Sequence, residues 1–328
     1  MILDIVYLVI GLALILLGAN WLTDGSAAIA KRFGISDLVV GLTVVAFGTS
    51  APELVISVMS ALNGSAGLAI GNVVGSNIFN ILMIIGITAI VKPIRVEKSV
   101  MTNELPLTLL SSVVLLAMGN AVILNGASES VLTRVDGILL LLFFAIFMRY
   151  TFAQAHALPE PAADPAAKDV SQKPPISTAK AIMLVIAGLA GLVGGGNRFV
   201  AGASGIASGL GVSEAVIGLT IVAMGTSLPE LAASIVAALK GKSDLAIGNV
   251  IGSCIFNAFF ILGTAATISQ LPFGTIGNVD LLTLCGASLL FLIFARVYRV
   301  LTITRAEGAL MTAGYVAYTA WLIIQTIK

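Results

Sequence analysis

The chain has 328 residues, 58% of them apolar and only 10% charged, with a mean hydropathy of +1.08. A soluble domain carries roughly a quarter charged residues, so apolar side chains here must face lipid as well as core. The net charge of +1 gives no sign of a nucleic-acid face or an acidic tail, and Cys254 and Cys285, each in an apolar run, indicate neither a disulfide framework nor a metal cluster.

A membrane helix needs about 20 mostly apolar residues. The sequence predicts ten such spans, an all-α integral membrane protein. The first half supplies 2–23, 37–62, 67–91, 105–125 and 134–152; the second supplies 179–199, 212–239, 244–269, 279–299 and 306–327. The first stretch lacks a basic leader and is long enough to span, so it reads as a retained helix. Residues 153–178 contain the run LPEPAADPAAKDVSQKPP and the chain's single histidine, His156. This segment reads as an exposed linker between a first five-helix repeat, 1–152, and a second, 179–328.

Basic residues orient the spans. The loops joining spans 1–2, 3–4, 5–6, 7–8 and 9–10 hold fourteen of the 17 Lys and Arg; only Arg134, Arg198 and Lys328 fall on the other side. Positive residues stay inside, which puts the linker in the cytoplasm and both termini outside, in a plasma membrane (the inner membrane of a prokaryote).

Residues 41–80 and 218–257 align without a gap at an offset of 177, with 26 of 40 positions identical. Weaker similarity pairs Gly18 with Gly195 and Asn20 with Asn197. An odd number of spans per half makes the second copy start from the opposite face. Inverted repeats with broken helices are the architecture of many secondary transporters, in which two halves rock about a fixed site.

The first helix of each motif carries GTSxPE, at 48–53 and 225–230. Proline lacks an N–H and clashes with the carbonyl four residues back, so Pro52 and Pro229 should break the ladder and free carbonyls near Gly48/Thr49 and Gly225/Thr226. Glu53 shares a helix face with Thr49 and Ser50; Glu230 shares one with Thr226 and Ser227. A glutamate inside a span costs a few kcal/mol and marks an ion pathway by default. The bland alternative is a protonated structural carboxyl, and a matched pair disfavours it. The second helix carries GNxxGSxxFN, setting Asn72, Ser76 and Asn80, and again Asn249, Ser253 and Asn257, on one face. Gly71/Gly75 and Gly248/Gly252 fit close helix packing.

Carboxylate, amide, hydroxyl and carbonyl oxygens suit hard cations such as Ca²⁺ or Na⁺ and suit soft metals poorly. Two carboxylates match one Ca²⁺, two Na⁺ or two H⁺. A site that cannot cross the membrane empty of positive charge makes an obligatory exchanger. The expected partners are therefore Ca²⁺ and Na⁺ (or H⁺ or K⁺) and the lipid bilayer, with no cofactor, no nucleic acid and no obligate protein partner.

These paired motifs resemble those of the calcium:cation antiporter superfamily, in the prokaryotic form of the sodium/calcium exchangers, and the resemblance covers essentially the whole chain. It implies exchange of Ca²⁺ against Na⁺, or H⁺ or K⁺ in some branches, at clustered sites bridged by Glu53 and Glu230. The carbonyls of Thr49 and Thr226 would complete the Ca²⁺ site. Ser50, Ser76, Ser227 and Ser253 would serve Na⁺, helped by the carbonyls of Ala46 and Ala223, with Asn80 and Asn257 lining the centre. Some exchangers carry Asp where Asn257 stands, which leaves stoichiometry and counter-ion open here. The linker is too short for the calcium-sensing domains of animal exchangers. A cation channel and an intramembrane phosphatase are the rival readings. The motif helices contain no Arg to hold a phosphate, and one chain carries both half-sites, which speaks against a pore assembled from subunits. Asp24, Asp37, Glu104, Asp136, Glu214 and Asp280 read as interfacial groups.

Overall fold

In lipid every backbone N–H and C=O must be satisfied within the segment, and long apolar runs therefore become helices. The computed structural model describes residues 2–126, 128–155, 176–210, 223–274, 276–297 and 301–327. Its helices are α1 (Ile2–Phe33), α2 (Asp37–Thr49), α3 (Ala51–Leu62), α4 (Ala66–Val91), α5 (Val100–Gly119), α6 (Arg134–Ala155), α7 (Thr178–Gly209), α8 (Leu228–Leu239), α9 (Ser243–Ile268), α10 (Asn278–Arg296) and α11 (Arg305–Ile327). Most of the linker, with His156, lies outside the described residues, as do Glu214 and the opening part of the seventh expected span, 212–222.

Seven of these helices are long and apolar enough to cross a bilayer, and α2 with α3, meeting at a 50° bend, would make an eighth. The expected first and sixth spans are too short. The helices run on to Phe33 and to Gly209, 32 residues each. At 1.5 Å per residue they reach about 48 Å, beyond a hydrocarbon layer of about 30 Å. Lys31 and Arg32 do not break the first of them; Gly34, at φ +63°, follows it. The fourth expected span shifts the other way: it begins at Val100, and Asn120 separates it from the short turn Ala121–Asn125.

Two two-residue ribbons tie loops together. Ile94–Arg95 (β1) pairs antiparallel with Thr302–Ile303 (β4), and Val131–Leu132 (β2) with Leu271–Pro272 (β3). The β1–β4 ribbon joins loops that the charge pattern assigns to one face, and the β2–β3 ribbon joins loops assigned to the other. On the first face Lys240 bridges Asp24 at 2.7 Å, Lys242 bridges Asp37 at 2.7 Å and the Lys92 ammonium reaches the Leu239 carbonyl at 3.4 Å.

Glu104 and Asp280 are covered by protein, 1% and 8% exposed. Tyr150 donates to Glu104 at 3.2 Å, and Tyr318 to Asp280 at 2.6 Å. Each carboxylate lies eight residues before a serine, and those two serines, Ser112 and Ser288, meet at 2.9 Å where α5 crosses α10. Sequence position placed these carboxylates at span ends, and tertiary packing then covered them with tyrosines from α6 and α11.

α1 and α7 pack along their length through glycines at seven-residue spacing: Gly11, Gly18 and Gly25 on one, Gly188, Gly195 and Gly202 on the other, each pair offset by 177. Seven residues is nearly two turns, so each set stays on one face. A Cβ at Gly18 would lie 2.7 Å from the Gly188 carbonyl oxygen, and one at Gly188 would lie 2.6 Å from the Leu22 nitrogen. Backbone cannot step aside as a side chain can. Gly18→Leu should therefore cost about 3 kcal/mol, the upper end for overpacking, read as a lower melting temperature in detergent. An unchanged melting temperature would show that the seam tolerates separation.

Candidate cation-binding site

The bend between α2 and α3 falls at Ser50 (φ −83°, ψ 9°), with Pro52 in the first turn of the new helix, where its missing N–H costs nothing. Ser227 occupies the matching position (φ −93°, ψ 8°) ahead of Pro229 in α8. Both glutamates thus lie in the first turn of a half-helix, where the positive end of the dipole favours an anion. Glu53 is 1% exposed and Glu230 0%.

The two halves exchange bonds. The Ser50 hydroxyl donates to Glu230 Oε1 at 2.9 Å, and the Ser227 hydroxyl donates to Glu53 Oε1 at 3.0 Å. Ser253 Oγ lies 3.0 Å from Ser50 Oγ. Thr49 Oγ1 lies 3.1 Å from Asn249 Oδ1 and 3.0 Å from the Val45 carbonyl. Rocking of one repeat against the other would have to break these bonds. α2 adds to the interlock: a Cβ at Gly248 would meet the Leu38 carbonyl at 2.6 Å, and one at Gly252 the Leu42 carbonyl at 2.7 Å.

Each glutamate is also fixed from behind. Asn72 donates to the Glu53 carbonyl at 3.2 Å and to Ser57 Oγ at 3.0 Å; Asn249 donates to the Glu230 carbonyl at 3.2 Å and to Ser234 Oγ at 2.9 Å. Ser57 and Ser234 escaped the sequence reading, although their signal was present: a serine four residues after each glutamate, repeated at offset 177.

Asn80 and Asn257 are each the second residue of a π-helical stretch, Phe79–Ile84 and Phe256–Ile261. The N–H of Ile85 reaches back five residues to the Asn80 carbonyl, and that of Leu262 to the Asn257 carbonyl. Such wide turns inside α-helices collect at functional sites. Asn257 donates to Asn77 at 3.1 Å, and Asn77 donates to the Cys254 carbonyl at 3.0 Å, a contact between equivalent positions of the two repeats that carry different residues. Ser76 is buried on α4, and among the described residues neither it nor the two asparagines bonds a carboxylate directly. Ala223 opens the one-turn helix before Thr226. The Ala46 carbonyl already accepts the Ser50 N–H at 3.0 Å, so only its second lone pair is open to an ion.

What these residues lack is as informative as what they bond. Glu53 Oε2, Glu230 Oε2, Asn80 Oδ1, Asn257 Oδ1 and Thr226 Oγ1 are buried oxygens without a hydrogen-bond partner. Each such atom costs about 1–3 kcal/mol if left alone. All five are hard donors, and no Arg or Lys bonds to either carboxylate among the described residues. Oxygens of this kind are the donors a hard cation takes.

A bundle of apolar helices that buries such a set defines a membrane cation transporter. The chain belongs to the sodium/calcium exchanger protein family, whose model matches residues 3–153 and 180–324, and so to the calcium:cation antiporter superfamily. It is 38% identical to the putative antiporter CaxA of Alkalimonas amylolytica, over 95% of this chain and 96% of that one. It is 30% identical to the sodium/calcium exchanger MaX1 of Methanosarcina acetivorans, over 95% and 96%. A solved structure of the sodium-calcium exchanger NCX_Mj, soaked with neither Na⁺ nor Ca²⁺, superimposes with a TM-score of 0.82 at 35% identity, covering 97% of this chain and 98% of that one. The chain is a calcium/cation antiporter, a transporter rather than an enzyme, and its cargo is ions.

Removing Ser57 or Ser234 leaves an asparagine short of one bond without touching a candidate ligand. Ser57→Ala and Ser234→Ala should each weaken Ca²⁺ binding by about 1 kcal/mol, roughly fivefold, by calorimetric titration. Unchanged affinity in both would show that the asparagines hold the glutamates without them.

Proposed function

We propose that this protein exchanges Ca²⁺ for Na⁺ by alternating access, at a site bridged by Glu53 and Glu230. The observation that carries this is the set of unpartnered buried oxygens spanning both repeats. The Thr49 and Thr226 carbonyls would complete the Ca²⁺ shell. Ser50, Ser76, Ser227 and Ser253, with the Ala46 and Ala223 carbonyls, would take Na⁺, and Asn80 and Asn257 would line the centre. Coupling to H⁺ or K⁺ is the second reading, because Asn257 leaves the site with two carboxylates.

Charge supplies the coupling. Two carboxylates buried without a cation are expensive in a low-dielectric interior. The transition between faces is therefore available only with a bound ion, and Ca²⁺ leaves when monovalent cations take its oxygens. Since the cross-bonded repeats hold the site together, access alternates through elements that supply no ligand. The glycine-seamed α1–α7 pair is such an element.

The reading includes ten spans in two inverted five-helix repeats, 1–152 and 179–328, around the 153–178 linker. The expected spans 212–239 and 306–327 join the eight counted above to make ten; α8 lies within the first, α11 covers the second, and 212–222 are outside the described residues. Support comes from the matched bonds Ser50–Glu230 and Ser227–Glu53, whose members correspond at the 177-residue offset, and from the two ribbons, each tying loops of one expected face. Fourteen basic residues on the β1–β4 side favour a cytoplasmic linker and external termini, in a plasma membrane.

In proteoliposomes loaded with Na⁺, an outward Na⁺ gradient should drive ⁴⁵Ca²⁺ uptake. Glu53→Gln and Glu230→Gln should each reduce it by 100-fold or more, on the order of 3 kcal/mol for an uncompensated buried partner. Uptake driven only by H⁺ or K⁺ would replace the coupling ion and keep the site. Full uptake in either glutamine variant would sink the site itself.

A further inference from the structure

On the β1–β4 face a cavity of about 440 Å³ opens between the start of α5 and the end of α10. Lys98 and Arg296 line it together with Met101, Thr102, Pro106, Leu292 and Leu301. Lys240 and Lys242, on the same face, are paired with aspartates. Lys98 and Arg296 have no acidic partner among the described residues, and Glu97 accepts instead from Ser99 at 3.1 Å. One wall is held at a cost. Leu301 is the one non-glycine residue at positive φ (62°) among the described residues, in the left-handed region that leucine disfavours. Its N–H donates to the Ala295 carbonyl at 2.9 Å and its carbonyl accepts from Val96 at 3.0 Å.

Below Pro106 on α5 come the exposed apolar residues Leu110 and Val113, at helical spacing; below Arg296 on α10 come Ile293 and Leu289. The cleft therefore offers two cations at the membrane surface and an apolar track running toward the bilayer centre. Basic clefts between spans on the cytoplasmic side suit lipid headgroups. A free anion would satisfy the cations but not the track.

We propose that this cleft binds an anionic phospholipid, its phosphate between Lys98 and Arg296 and an acyl chain along α5 and α10. The site is separate from the cation site and stands whichever ion drives exchange.

The test uses the full chain, delipidated in a neutral detergent and titrated with phosphatidylglycerol while its melting temperature is followed. Phosphatidylglycerol should raise the melting temperature; phosphatidylcholine and glycerol phosphate should not match it. The double variant Lys98→Gln/Arg296→Gln should need on the order of tenfold more phosphatidylglycerol for the same shift, while Lys98→Arg/Arg296→Lys should behave like the natural chain. If the double variant does not purify, the exposed single substitution Lys98→Glu carries the same expectation. An equal shift with phosphatidylcholine would overturn the charge requirement. An equal shift with glycerol phosphate would overturn the lipid in favour of a soluble anion. A full response in the charge-removed variants would overturn the site.

Discussion

Two carboxylates, Glu53 and Glu230, are buried in the interior of an apolar bundle with no basic residue bonded to either among the described residues, and this constraint shapes the rest of the molecule. Each keeps one oxygen bonded to a serine of the opposite repeat and leaves the other bare. Burying an anion on these terms is eased because the half-helix starts at Ser50 and Ser227 present their positive ends. On the proposed function a cation would take the remaining oxygens, and the cost of the empty site would then be what couples the two fluxes.

The symmetry of the chain explains how so small a protein builds the site. Offset by 177 residues, Ser50/Glu230 and Ser227/Glu53 trade places across a pseudo-twofold, and the asparagine clamps on Ser57 and Ser234 repeat with nearly the same distances. The symmetry is incomplete. Thr49 Oγ1 lies 3.1 Å from Asn249 Oδ1, with no matching bond between Thr226 and Asn72 among the described residues, and Asn77 stands opposite Cys254.

Much of this was legible in the residues. The GTSxPE and GNxxGSxxFN motifs located the glutamates, the chain break and the polar stripes, because a proline and a carboxylate inside apolar runs are too costly to be accidental. The glycine seam was half visible, through Gly18 and Gly195, and its heptad spacing could have been counted. Other features were hidden for physical reasons. The lengths of α1 and α7 depend on how far a helix projects beyond lipid, which hydropathy does not encode. The burial of Glu104 and Asp280 depends on tyrosines 46 and 38 residues away. The cross-bonds between the repeats are tertiary, and no local pattern announces them.

The central claim is that Ca²⁺ and monovalent cations compete for the same oxygens around Glu53 and Glu230. Equilibrium ⁴⁵Ca²⁺ binding to the purified chain, repeated at rising Na⁺, tests it most directly. The account predicts that Na⁺ lowers the apparent Ca²⁺ affinity while the saturating amount of bound Ca²⁺ stays the same. Ca²⁺ binding that is indifferent to Na⁺, H⁺ and K⁺ alike would contradict it.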